Sequence, residues 1–396
     1  MPEKRKDNKG RVLRTGESQR KDLLYQYRYT DIRGKRQTIY ASSLKELRNK
    51  EGEMQRWADE GLDYAGGNIT VVELVERYIS LKKGVRYNTR VGYNFVLNLI
   101  KKEAFGKRSI RDIKVSDAQG WMIKLQEDGR GYSTLTSVRG VVKPAFQMAY
   151  NEDVIRRNPF DFKLGDVVKN DSQKRCAMSE EQQNRWMSFI KNDKTYTKYY
   201  DEFVVLLGTG MRVSEFCGLT KADLDFDNHK IRVDHQLVRE RGGQYYVEKT
   251  KTECGCRYIP MTDEVFRSLH NILDRRKKVK VEKIVDGYSG FIMLDKNNNP
   301  KVALHIENEM RWAMKKYTKL HPDEPLPHIT PHVFRHTFCT NMANAGMHVK
   351  TLQYIMGHSD VGVTMNVYTH ASYDHAAEQL AKIVDFKATE STKDFA

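Results

Sequence analysis

No stretch of the 396 residues approaches 18 consecutive apolar side chains, which is too little to cross a bilayer as a helix. The opening MPEKRKDNKGR lacks the apolar segment of a secretory signal, so the expectation is a cytoplasmic protein with no membrane partner. Cysteine is sparse: Cys176, Cys217, Cys254, Cys256 and Cys339 are odd in number and mostly scattered. The single CGC pair has no second Cys or His pair at metal-ligand spacing. Reduced thiols are expected, with no metal and no cofactor. Acidic residues are also short, 52 against 68 Lys and Arg, for a net charge of +16. That surplus attracts phosphates. Without a long basic helix edged with aromatics, nucleic acid is the expected polyanion.

What is present is divided along the chain, and the length leaves room for two or three domains. Residues 1 to 50 carry 15 Lys and Arg against 6 Asp and Glu. Within that block, KDLLYQYRYT and KRQTIYAS alternate around the turn DIRG, the pattern of a hairpin. GRVLRTGES offers a third strand, and Ser42 or Ser43 caps a helix ending at Gly61. A small three-stranded sheet with one helix, residues 1–66, is expected as a DNA-binding module.

After the linker GGN, Thr70 and Glu73 form a capping box that opens the first of four helical patterns, and RNPF closes the last. This all-helical domain is expected over 67–165. From 175 to 396 the pattern is mainly helical. KIRVDHQLVRE, GQYYVEKTK and CRYIPM read as a three-stranded antiparallel meander. The fold class is multidomain α+β.

Several residues stand out. The run FVVLLGTGMRVSEFCGL breaks at Gly208-Thr209-Gly210 and leaves Arg212 near a helix start, where backbone N–H groups favour anions. Glu215, one turn on, can hold its guanidinium. A surface salt bridge would read the same way. Lys249 and Lys251 flank Thr250 at the end of a strand, where a hairpin tip could reach a groove, although such lysines are ordinarily just solvated. His332, Arg335 and His336 fall on one helical face at 100° per residue, opposite Phe334, Phe338, Met342 and Ala345. Like charges at that spacing repel unless an anion lies between them. His358 follows the helix VKTLQYIM and its stop at Gly357, as either a functional group or a C-cap. Tyr368, on a short helix TMNVY, would by itself read as core.

The order Arg, Lys, His-x-x-Arg, Gly-His, Tyr is more specific than any of its members. TGMRVSEFCGL, TKTECGCRYIP, PHVFRHTFCT and MGHSDVGVTMNVYTH resemble the boxes of the tyrosine recombinase (phage lambda integrase) family. In overall layout the chain resembles the integrases of conjugative transposons. The resemblance implies an arm-type DNA-binding domain at 1–66, a core-binding domain at 67–165 and a catalytic domain at 175–396. It implies that Arg212 and Arg335 grip the phosphate, that His332 and His358 complete the pocket, and that Tyr368 is the nucleophile. Lys251 matches the general acid, with Lys249 as the alternative two residues earlier. His358 and Tyr368 are ten residues apart, one more than in many members.

By the same resemblance the chain cleaves and rejoins double-stranded DNA through a 3′-phosphotyrosine, without metal or ATP, to integrate and excise a mobile element. A type IB topoisomerase shares nearly the same pocket, and a catalytically dead DNA-binding regulator would keep the charge. Strand exchange and covalent trapping separate these readings. The tail YDHAAEQLAKIVDF, 373–386, repeats apolar residues at helical spacing and is expected to dock on a neighbouring subunit of a homotetramer on DNA. Docking on its own domain is the alternative. An accessory directionality factor is a further expected partner.

Overall fold

The computed structural model describes residues 5–31, 34–172, 176–240, 242–250, 255–276 and 278–368, with the backbone alone at Asn366 and Tyr368. Lys251 and the tail 373–386 lie outside the described residues, so both expectations stand as proposals. The chain forms two compact units, residues 1–173 and 174–396.

The first unit opens with an antiparallel sheet, β1 (Glu17–Gln19), β2 (Tyr25–Thr30) and β3 (Arg36–Ala41), in the order β1-β2-β3. This is the expected sheet, and its register pairs Tyr25 with Ala41. Helix α1 (Leu44–Asp59) covers it, capped by Ser43, whose hydroxyl accepts from the Glu46 amide. Leu13, Tyr25, Ala41, Leu44 and Leu47 make a small core of their own. A separate core forms where α2 (Val71–Ser80), α3 (Tyr87–Lys102), α4 (Val115–Glu127) and α5 (Tyr132–Asn151) pack together. The Thr70–Glu73 capping box is present.

In the second unit, α6 (Glu180–Asn192), α7 (Tyr200–Thr209), α9 (Asp263–Arg275), α10 (Ala303–Leu320) and α11 (Pro331–Asn344) share one core that includes Trp186, Phe203, Phe334 and Tyr317. Between them lie the short α8 (Val213–Gly218) and strands β4 (Leu224–Asp225), β5 (Lys230–Val233), β6 (His235–Arg239), β7 (Tyr245–Lys249) and β8 (Arg257–Pro260). A three-stranded antiparallel sheet is there, but its strands are β4-β5-β8, and β6-β7 forms a separate two-stranded ribbon. The expected meander therefore splits at Asp234: the strand before it pairs with β8, and the strand after it pairs with β7. Helices α12 (Val349–Met356) and α13 (Val361–Tyr368) complete the unit. Among the described residues, no helix is long and apolar enough to cross a membrane.

Candidate functional site

Helix α7 ends at Gly210, whose φ of +61° is left-handed. A Cβ there would lie 2.4 Å from the Phe338 ring, so both the turn and the packing require glycine. The turn delivers Arg212 to the N-cap of α8, with its side chain partly exposed. Nη1 donates to Glu215 Oε1 at 2.7 Å, and the Arg212 amide donates to Glu215 Oε2 at 2.9 Å. The contact anticipated between these two residues forms, and the carboxylate is buried beneath the arginine.

Arg335 sits on α11, which starts at Pro331 behind the Thr330 cap. The expected cationic face is only partly right. His332 is exposed and His336 half-buried, but Arg335 is buried because two carbonyls draw it inward. Nη1 donates to Gly210 at 2.7 Å and Nη2 to Met356 at 2.6 Å. Phe334 and Phe338 fill the core as expected, whereas Ala345, at the C-cap, is exposed.

The C-terminus of α12 draws the pocket together. A helix end leaves carbonyls without partners and carries partial negative charge. Here three consecutive ones accept from arginines: Ile355 from Arg257 Nε at 2.6 Å, Met356 from Arg335, and Gly357 from Arg212 Nη2 at 3.1 Å. Gly357 then turns with φ +63° and releases His358, whose Nδ1 lies 2.9 Å from the Thr364 hydroxyl of α13. Tyr368 is the last residue of that helix.

Two guanidiniums share one carboxylate, because Glu215 accepts from Arg212 and also from Arg257 Nη2 at 2.8 Å. Burial alone would raise the Glu215 carboxyl, but hydrogen bonding from Arg257 and the charges of Arg257 and Arg212 outweigh it and hold it below its ordinary range. Burial, then repulsion from Arg212 and Arg257, push Arg335 down to about 9, still cationic at neutral pH. Burial and the charges of Arg335, Arg212 and Arg257 push His358 down to about 4, so its ring is neutral. The surplus of positive charge suits an anion with several acceptor oxygens.

Sequence reasoning left out Arg257 and Thr364. Arg257 had a usable signal: in CRYIP it shares the inward parity of Ile259, and an inward-facing arginine needs a partner. Lys249 closes β7 and is exposed. Among the described residues, Asp223, Asp234 and His235 bring potential metal-binding atoms together. These atoms are already engaged, because Asp223 accepts from Arg232 and Thr220, while His235 bridges Asp234 and the Gly218 carbonyl.

Comparison with known proteins agrees with this geometry. Residues 177–375 match the phage integrase family, and residues 1–58 match the DNA-binding domain of Tn916 integrase. The chain is 43% identical to the transposase from transposon Tn916 of Enterococcus faecalis, and equally to that from transposon Tn1545 of Streptococcus agalactiae. Each alignment covers 97% of both chains. A solved structure of the Tn1549 transposon integrase in complex with a circular intermediate DNA is 41% identical, with a TM-score of 0.76 over 80% of this chain and 99% of that one. With Arg212, Arg335 and His358 gathered at the end of α12, the match over residues 177–375 and the 43% identity over 97% of the chain identify the protein as a member of the phage integrase family, the tyrosine recombinases.

Proposed function

We propose that this recombinase cuts and rejoins double-stranded DNA at specific sites through a covalent bond between Tyr368 and a 3′-phosphate, integrating and excising a transposon. The observation that carries this reading is the convergence of Arg212, Arg335 and His358 at the end of α12. Arg212 and Arg335 would bind the non-bridging oxygens of the scissile phosphate and stabilise the charge that grows there. The Tyr368 oxygen attacks phosphorus in line, forming the P–O(Tyr) bond as the P–O5′ bond breaks. Lys251 supplies the proton to the departing 5′-oxygen. The tyrosine proton passes to His332 or His358, and the neutral ring of His358 has room to accept it. The phosphotyrosine stores the energy of the broken bond, so a 5′-hydroxyl from another strand reverses the step without ATP.

The matched family of residues 1–58 supports a division of labour. Residues 1–66 would hold arm-type sites, 67–165 core-type sites, and 175–396 the chemistry. Four subunits linked by their tails would bring two duplexes together, with an accessory factor setting direction, in the cytoplasm.

A core-site duplex nicked so that the cleaved fragment is lost should trap a covalent adduct. Tyr368→Phe should abolish it while DNA affinity stays within a few-fold, because the ring is kept and only the nucleophile is removed. Adducts that persist in the variant would sink the assignment.

A further inference from the structure

Arg257 opens β8 with its side chain fully buried. Its bonds go to the framework of the pocket: Nη2 to Glu215 Oε2 at 2.8 Å, Nη1 to Glu215 Oε1 at 3.3 Å and to the Gly255 carbonyl at 3.1 Å, and Nε to the Ile355 carbonyl at 2.6 Å. Gly357 lies against it, where a Cβ would be 2.9 Å from Nη1. A buried arginine is no bargain for stability, since an apolar residue of similar volume often serves as well. Its presence points to a geometric task.

We propose that Arg257 is a positioning residue for strand cleavage: it fixes Glu215 and the carbonyl end of α12 so that Arg212, Arg335 and His358 address the phosphate together. This rests on the reading that these three hold the scissile phosphate. Glu215 accepts from Arg212 through both oxygens, and Arg257 engages the same two oxygens. Without Arg257 the carboxylate can turn, and Arg212 loses the direction it needs for a two-pronged grip. At the same time the Ile355 carbonyl loses its donor, which loosens the turn that sets His358. Gly255 follows Lys251 by four residues, and the same guanidinium holds the Gly255 carbonyl just before β8 begins.

The test is single-turnover cleavage by the full chain with two substrates, a normal phosphodiester and one whose scissile phosphate carries a methyl group in place of a non-bridging oxygen. The neutral substrate removes the charge that Arg212 must meet. Arg257→Met should slow normal cleavage by about 100-fold, the scale of an active-site displacement, with DNA affinity nearly unchanged. Relative to wild type on the neutral substrate, the loss should shrink to less than about tenfold. Equal losses on both substrates mean general damage and overturn the inference, as does a wild-type rate on both. If Arg257→Met does not fold, Arg257→Lys takes its place, because it keeps the charge yet cannot span Glu215 and Ile355 at once. Failure of both to fold makes the role purely structural and overturns the inference. Failure of the underlying reading is separately visible: Arg212→Ala would then lose equally on both substrates, or wild type would form no Tyr368 adduct.

Discussion

Arg212 donates from Nη2 to the carbonyl of Gly357, 145 residues further along the chain. The bond joins the start of α8 to the residue that releases His358, so a shift of either end moves both an arginine and a histidine of the pocket. Arg335 and Arg257 add bonds to the two preceding carbonyls. The negative end of α12 thereby offsets part of the repulsion among three clustered cations. Glu215 offsets one of the three charges and leaves the pocket with a surplus of two positive charges, suited to a phosphodiester that gains negative charge as it reacts.

His358 should report that unbalanced charge. Burial and the surrounding arginines hold its imidazole at about 4, against an ordinary 6.5. The folded state thus favours the neutral ring, while the unfolded chain takes up a proton below about 6.5. Stability from this group is complete above that value and drains away as pH falls towards about 4. A phosphate between the arginines opposes their field, so DNA should raise the His358 pKa. Imidazole NMR resolves both states: no protonation above pH about 5 in the free protein, and an upward move with a core duplex. Ordinary titration near 6.5 in the free protein would contradict the geometry.

Lys251→Ala should slow cleavage of normal DNA strongly and recover on a 5′-bridging phosphorothiolate, because the sulfur leaves without needing a proton. Lys249 provides the internal control, since it ends β7 and is exposed. Rescue of Lys249→Ala instead would move the general acid by two residues.

Helix and strand periods exposed much of this arrangement, and their failures have physical causes. The alternation Ile231, Val233, His235, Leu237 continues unbroken on the buried side, so nothing in the sequence marks Asp234 as the point where the chain exchanges one partner strand for another. Arg335 was grouped with His332 because a helical wheel sees angle and not depth. The carbonyls that draw it inward come from Gly210 and Met356, contacts that only the tertiary fold creates. The caps at Ser43 and Thr70 were legible because their partners lie three residues away. Arg212 was legible for the same reason, with Glu215 as its local partner.

A chain beginning at Asn68 should still cleave core-type sites but lose a second DNA-binding activity carried by residues 1–66. The sheet β1-β2-β3 has its own core with α1, and the block that forms it is strongly basic, so its binding should fall steeply with salt. Gel-shift titrations of both chains on arm-type and core-type duplexes across a salt series check this. Loss of all DNA binding on truncation would refute two separable sites.

The tail 373–386 should act on a neighbouring subunit. Ala376, Ala377, Leu380, Ile383 and Val384 recur at a spacing that on a helix would give one apolar stripe, which a partner surface would then have to cover. Covering it within the same chain costs less ordering, because no partner has to be found; covering it on a neighbour gives control. The tail begins five residues after Tyr368 in the sequence, so docking can pull on the helix that bears the nucleophile and keep an unassembled monomer from cutting. Deleting residues from 373 onward distinguishes the two arrangements. Docking on a neighbour predicts weaker multi-subunit complexes on paired sites, deregulated cleavage and a nearly unchanged melting temperature. If the deletion instead lowers the melting temperature by many degrees, and the surviving protein still pairs its sites, the tail packs on its own domain and the switch must lie elsewhere.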